Sequence, residues 1–138
     1  MNELEEQKKR AFEKFFEEAE FEPRELYQLM EKVGEHLATI NRKGDVFIKG
    51  EALTDKDKVA VVAIARFLAN QADNKINPTI TAEEVVRYTQ LDKNVVSARL
   101  SDLVKEGLLL RVERGVYKAR SLPRVKEYLD DLLESEEE

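Results

Sequence analysis

The stretch 92-DKNVVSARLSDLVKEGLLLRVERGVYKARS-121 gathers the side chains best suited to recognition chemistry. Lys93, Asn94, Ser97 and Ala98 open one amphipathic segment, Arg99 and Lys105 lie farther along it, and Arg111, Arg114 and Lys118 follow Gly107. Lysine and arginine neutralise phosphate oxygens, an asparagine amide can bond an adenine edge through two atoms, and a serine hydroxyl suits several bases. Together these groups could grip a polyanion and read its edges. Each also has a plainer role. Lys93, Asn94 and Ser97 could be a solvated helix start, and Arg111, Arg114 and Lys118 could be edge-strand charges that discourage aggregation. Arg99 flanks the apolar face and could pair with an acidic side chain such as Glu83.

The distribution of charge sharpens that contrast. Gln90–Arg120 holds seven cationic and four acidic side chains, a net of +3, and the remainder of a chain whose total is −6 carries −9. A basic segment inside an acidic protein is local, as binding of nucleic acid by one element requires.

Local signals define the elements that would position these residues. In 80-ITAEEV-85, Thr81 is the N-cap, Glu84 its partner three residues on, and Ile80 and Val85 the flanking hydrophobic staple. This helix is short, ending near Thr89. The stretch 91-LDKNVV-96 repeats part of the device, with Asp92 as N-cap and Leu91 and Val96 as staple. Two helices about three residues apart give a helix-turn-helix. The second keeps Val96, Leu100, Leu103 and Val104 on one face and stops at Gly107. Strands over Leu108–Glu113 and Val116–Ala119 then turn at Arg114-Gly115, where glycine admits positive φ.

Upstream, residues 3–20 have helical periodicity through Phe12, Phe15, Phe16 and Ala19. A second helix begins at Pro23 and carries Leu26, Leu29, Met30, Val33, Leu37 and Ile40 up to 41-NRKG-44. An edge strand or connector, 45-DVFIK-49, follows. The next helix starts at Thr54, with Asp57 completing an approximate capping box, and its run 59-VAVVAIARFLA-69 should be the most buried. The last helix, in 121-SLPRVKEYLDDLLE-134, repeats Leu122, Val125, Leu129 and Leu132, and the acidic tail 134-ESEEE-138 is expected to fray.

The order helix (54–72), extended 78-PTI-80, helix (82–89), helix (93–106), hairpin (108–119) resembles the winged-helix family. The segment 96-VSARLSDLVKEGLL-109 looks like the recognition helix and first wing strand of MarR-type and related archaeal and bacterial regulators. The resemblance covers residues 54–120, about half the chain. It implies a mainly α fold with a small β-hairpin, a winged helix-turn-helix. The expected organisation is an N-terminal helical arm or hairpin (1–44), the winged-helix domain (45–120) and a C-terminal helix with its tail (121–138). It further implies that helix 93–106 enters the major groove of double-stranded DNA while the wing lies on the backbone. Lys93, Asn94, Ser97, Ala98, Arg99, Lys105, Arg111, Arg114 and Lys118 are the DNA-contacting candidates. Ala98 stands where many such proteins carry a larger polar or basic side chain, and the wing turn is short. Both features favour backbone contact over base reading.

The apolar stripes outside this region either close over the domain as extra core or pair with a second copy. The expectation is a homodimeric transcriptional regulator joined through Phe12, Phe15, Phe16, Leu26, Leu29, Val33, Leu37, Val125, Leu129 and Leu132. The alternative is a winged-helix adaptor that docks a protein partner on its acidic helices. Binding of single strands or RNA ranks last, because Tyr88 and Tyr117 are the only aromatics near the basic segment. No enzymatic activity is expected, since the chain shows no phosphate loop or nucleophile motif. The lone histidine, His36, has no ligand-spaced partners and cysteine is absent, so neither metal nor cofactor is expected. Abundant Glu and Lys give a thermophile-like composition. Without a long apolar run or signal peptide, the expected setting is the cytoplasm, away from membranes.

Overall fold

The computed structural model describes residues 2–15, 23–50 and 52–137, with side chains over 2–11, 23–50 and 52–134. Its helices are α1 (Glu3–Phe15), α2 (Pro23–His36), α3 (Asp55–Ala72), α4 (Ala82–Thr89), α5 (Lys93–Lys105) and α6 (Leu122–Glu137). Strands β1 (Ala38–Ile40) and β2 (Val46–Ile48) form a two-stranded antiparallel sheet. Strands β3 (Ile80–Thr81), β4 (Leu109–Glu113) and β5 (Val116–Ala119) form a three-stranded one in the order β3-β5-β4. The fold is thus mainly helical with two small antiparallel sheets. No helix among the described residues is long and apolar enough to cross a membrane.

Helix α3 is the axis. Val59 through Ile64 are fully buried, because its neighbours surround it on nearly every side. The apolar faces of α4 and α5 pack on it through Val85, Val96, Leu100 and Leu103. Thr54 caps α3 by accepting from the Asp57 N–H at 3.1 Å. The Asp57 carboxylate does not return to Thr54 but accepts from the Tyr128 hydroxyl of α6, so the expected box is only half made. Burial and that carboxylate together hold the Tyr128 phenol well above the usual tyrosine range.

Residues 37–40 depart from expectation. The period of Leu37 and Ile40 predicts helix, yet α2 ends at His36 and the chain pairs Ala38, Thr39 and Ile40 with Ile48, Phe47 and Val46. The turn 41-NRKG-44 decides this. Asn41 Oδ1 accepts from the N–H groups of Lys43 (2.9 Å) and Asp45 (3.0 Å), and Gly44 adopts φ +94. An Asx-type turn with glycine in the left-handed region closes a hairpin more readily than it extends a helix. A domain boundary at residue 44 would cut this hairpin. Moreover, Leu29, Val33, Leu37 and Ala38 share one core with Val62, Leu100 and Leu109, so α2 belongs to the body.

The same packing revises the dimer residues. Leu29, Val33, Leu37, Val125 and Leu129 are buried within their own chain, and Leu26 and Leu132 pack half-buried against that core. The five buried side chains have no surface open to a second copy, and Leu26 and Leu132 keep only part of theirs. Phe16 and the rest of 16–20 lie outside the described residues, as do the side chains of Phe12 and Phe15. The acidic tail continues α6 as helix to Glu137, where fraying was expected.

One charged residue lies inside. Arg66, within the apolar run of α3, has a side chain only 6% exposed and fully occupied by acceptors. Its Nε donates to the Gly44 carbonyl (2.6 Å), and its Nη1 to the carbonyls of Thr79 (2.8 Å) and Asn77 (3.4 Å). Its Nη2 meets the Glu84 carboxylate and the Tyr88 hydroxyl. Tyr88 passes its proton donor on to Asp45 at 3.1 Å. Donors from Asn41 and Tyr88 hold the Asp45 carboxyl below its ordinary value. Arg66 thereby fastens the β1–β2 turn, the β3 approach and α4 to a single guanidinium, whose planar fork suits several acceptors at once.

Candidate nucleic-acid interface

The segment that carries the candidate side chains is set by local chemistry at both ends. Thr81 accepts from the Glu84 N–H at 3.2 Å, and Glu84 Oε1 accepts from the Thr81 N–H at 3.1 Å. Ile80 and Val85 are both fully buried as the staple. Glu84 therefore caps α4 with one oxygen and receives Arg66 with the other. Helix α4 ends at Gln90, which takes the left-handed conformation (φ 64) normally left to glycine or asparagine. That residue turns the chain through Leu91 and Asp92 into α5. Asp92 occupies the N-cap position but makes no side-chain cap bond.

On α5, Val96, Leu100 and Leu103 are buried against the body. Asn94, Ser97, Ala98, Ser101 and Lys105 are all exposed. At about 100° per residue they fall within an arc about 100° wide, roughly opposite the buried face. Lys93 is exposed at the edge of this arc. The row therefore offers an amide, two hydroxyls and two ammonium groups to solvent from one helix face. Ser101 was not among the sequence candidates, although its spacings from Asn94 and Ser97, seven and four residues, are those of one face.

Arg99 is oriented differently. Its Nε donates to Asp102 at 2.9 Å, a pair three residues apart on the same helix. Its partner is thus Asp102 and not Glu83, and its charge is largely answered there.

The hairpin beyond Gly107 carries the second group. Strands β4 and β5 pair Leu109 with Ala119 and Arg111 with Tyr117, then slip register between Arg111 and Glu113. The slip leaves Val112 51% exposed. The connection at Arg114-Gly115 is tight, with Gly115 at φ 76 and nothing within 4 Å of the Cβ it lacks. Arg111 and Arg114 are exposed and Lys118 is half-buried. Among the described residues, Lys93, Lys105, Arg111, Arg114 and Lys118 form no ion pair. By contrast, Lys56, Arg66 and Arg87 each have a carboxylate partner.

The aromatic residues near this region are engaged elsewhere. Tyr88 takes part in the Arg66 and Asp45 bonds and lies under the Arg87 guanidinium, 5.0 Å from ring centre to Cζ. Tyr117 is half-buried against the core. His36 is an exposed residue, 3.6 Å from the Glu35 carboxylate.

Compared with protein-family models, with curated proteins and with solved structures, the chain matches none of them.

Proposed function

We propose that this chain binds double-stranded DNA as a homodimeric transcriptional regulator, with α5 in the major groove and the β4–β5 hairpin along the backbone. The observation that carries the reading is the gathering of five cations on α5 and the hairpin, none with a carboxylate partner among the described residues, next to Asn94, Ser97 and Ser101 on the outward face of α5. The chain's net charge is −6, so this cationic group is a local exception to its acidic balance. The element order supports the same reading: α3, β3, α4, α5, β4 and β5 follow one another as helix, strand, helix, helix, strand, strand, the winged-helix order.

The side chains divide by role. Lys93, Lys105, Arg111, Arg114 and Lys118 supply phosphate contacts, which fix position and carry no sequence information. Asn94, Ser97 and Ser101 supply the hydrogen-bonding groups that discriminate bases, and Ala98 lets the helix approach the groove floor. Arg99, held by Asp102, stiffens the helix. In a two-fold dimer the reading helices would meet half-sites about one helical turn apart.

A salt titration of duplex binding tests this. With about four of these five cations reaching phosphates in each chain, the log–log slope for a dimer is near −7, at about −0.9 per phosphate. Affinity that stays flat from about 50 to 300 mM salt refutes the reading, because no mode that relies on these cations escapes counterion release. A stoichiometric protein partner in place of duplex binding would establish the adaptor function instead.

A further inference from the structure

The commonest specific contact to guanine is a guanidinium or ammonium group on its O6 and N7. The outward row of α5 offers no such group to base edges. Arg99, the one arginine of the helix, lies about 100° round the axis from Ala98, and its Nε donates to Asp102 at 2.9 Å. Lys93 stands at the edge of the row. Lys105 is about 16 Å along the axis from Asn94, beyond the N-terminal residues that a reading helix sets against base edges. Both lysines are thereby placed for phosphates. Two groups with a definite base preference remain. The Asn94 amide matches adenine N6 and N7, and the Ala98 methyl matches the C5-methyl of thymine. The Ser97 and Ser101 hydroxyls suit donors and acceptors alike. All four residues are exposed.

We propose that Ala98 is a specificity-determining residue: its methyl packs on a thymine methyl, and together with Asn94 on adenine it makes the recognised site an A·T one. Four residues apart on a helix, Asn94 and Ala98 are separated by about 40° and about 6 Å of rise. Base pairs follow one another at about 3.4 Å, so the two side chains meet pairs at most about two steps apart. The neighbours of Ala98 on this face, Ser97 and Ser101, are short, so neither holds the backbone off the groove floor. A methyl–methyl contact needs that approach, because dispersion attraction acts only at van der Waals distance. This assignment rests on the DNA reading above and adds to it the base composition of the site; it does not require the second copy.

The experiment is selection of duplexes from a random pool by the full chain, followed by competition binding at fixed salt. The selected site should carry neighbouring A·T pairs and no invariant guanine. Replacing its thymines by uracil, one at a time, removes only a methyl group. One such change should weaken wild type by about fourfold, the equivalent of one methyl group left in water. The Ala98→Gly variant should have lost the same factor on the thymine duplex and be indifferent to that uracil. Ala98→Arg supplies the missing guanidinium and should turn the preference at that pair to G·C by about fivefold or more. 7-Deazaadenine lacks the N7 acceptor; it should weaken wild type and leave Asn94→Ala unaffected. Uracil without effect at every position, a site built of G·C pairs, or an Ala98→Arg variant with unchanged preference overturns the proposal. Binding to all duplexes alike with a steep salt slope refutes the base assignment and leaves the phosphate contacts standing. Absence of duplex binding at low salt refutes the DNA reading itself, and this assignment with it.

Discussion

Replacing Arg66 by methionine tests the most connected residue in the molecule while keeping its apolar length. The substitution removes the donors that serve the carbonyls of Gly44 and Thr79 and the Glu84 carboxylate. Breaking a buried ion pair by removing one partner costs about 3–5 kcal/mol. Glu84 keeps 25% of its side chain in solvent, so the low end, about 3 kcal/mol, applies to this pair. Two carbonyls left without donors add about 1 kcal/mol each. The expected loss is therefore about 4–5 kcal/mol, a large share of the roughly 5–15 kcal/mol available to a domain. Urea unfolding followed by circular dichroism measures it, with the midpoint shifting and the slope unchanged. The Arg66→Met/Glu84→Gln double variant should lose less than the sum of the two single ones, by about 1–3 kcal/mol, because the second change removes the charge the first has stranded. A loss below about 1 kcal/mol for Arg66→Met would show that solvent or a rearranged turn replaces the guanidinium, and the account of Arg66 as the fastener of three elements would be wrong.

Further outcomes follow from single positions. Gln90→Gly should stabilise the fold by about 0.5–1 kcal/mol in thermal melts, since a left-handed conformation burdens any side chain with a Cβ. Gly44→Ala should do the reverse by at least about 1 kcal/mol, because the residue has φ +94 and its new Cβ would lie 2.9 Å from Arg66 Nε. Arg114→Ala should weaken all duplexes alike and reduce the salt slope by about 0.9, whereas Asn94→Ala should change preference at one base pair by about 1–3 kcal/mol in competition binding. Because its ionisation is raised in the folded state, Tyr128 contributes its full stability below about pH 10 and progressively less above it. Ultraviolet titration should show a phenol that ionises only with alkaline unfolding, and Tyr128→Phe should abolish that late step.

What could be read from the chain was what nearby residues determine. The Thr81 and Glu84 box, the Ile80 and Val85 staple and the turn at Gly115 each depend on partners within a few positions, and each forms as the spacing predicts. Residues 37–40 did not, because their helical period competed with strand pairing to 46–48, and the pairing prevailed through a turn that Asn41 opens. Arg66 was masked by the apolar run around it; its acceptors lie 11 to 22 residues away and have no common motif. For the interface, periodicity separated the outward face of α5 from the buried one, and the same arithmetic should have added Ser101. It could not show that Arg99 would turn to Asp102.

The two-residue connection at Arg114-Gly115 separates length from architecture. Glu113 and Arg114 are exposed, and the space beyond Gly115 is open. Extra residues spliced in at that tip would lengthen the hairpin outward without touching α3. The length of this hairpin is therefore an adjustable dimension, which an engineer could extend one loop at a time while the scaffold stays as it is.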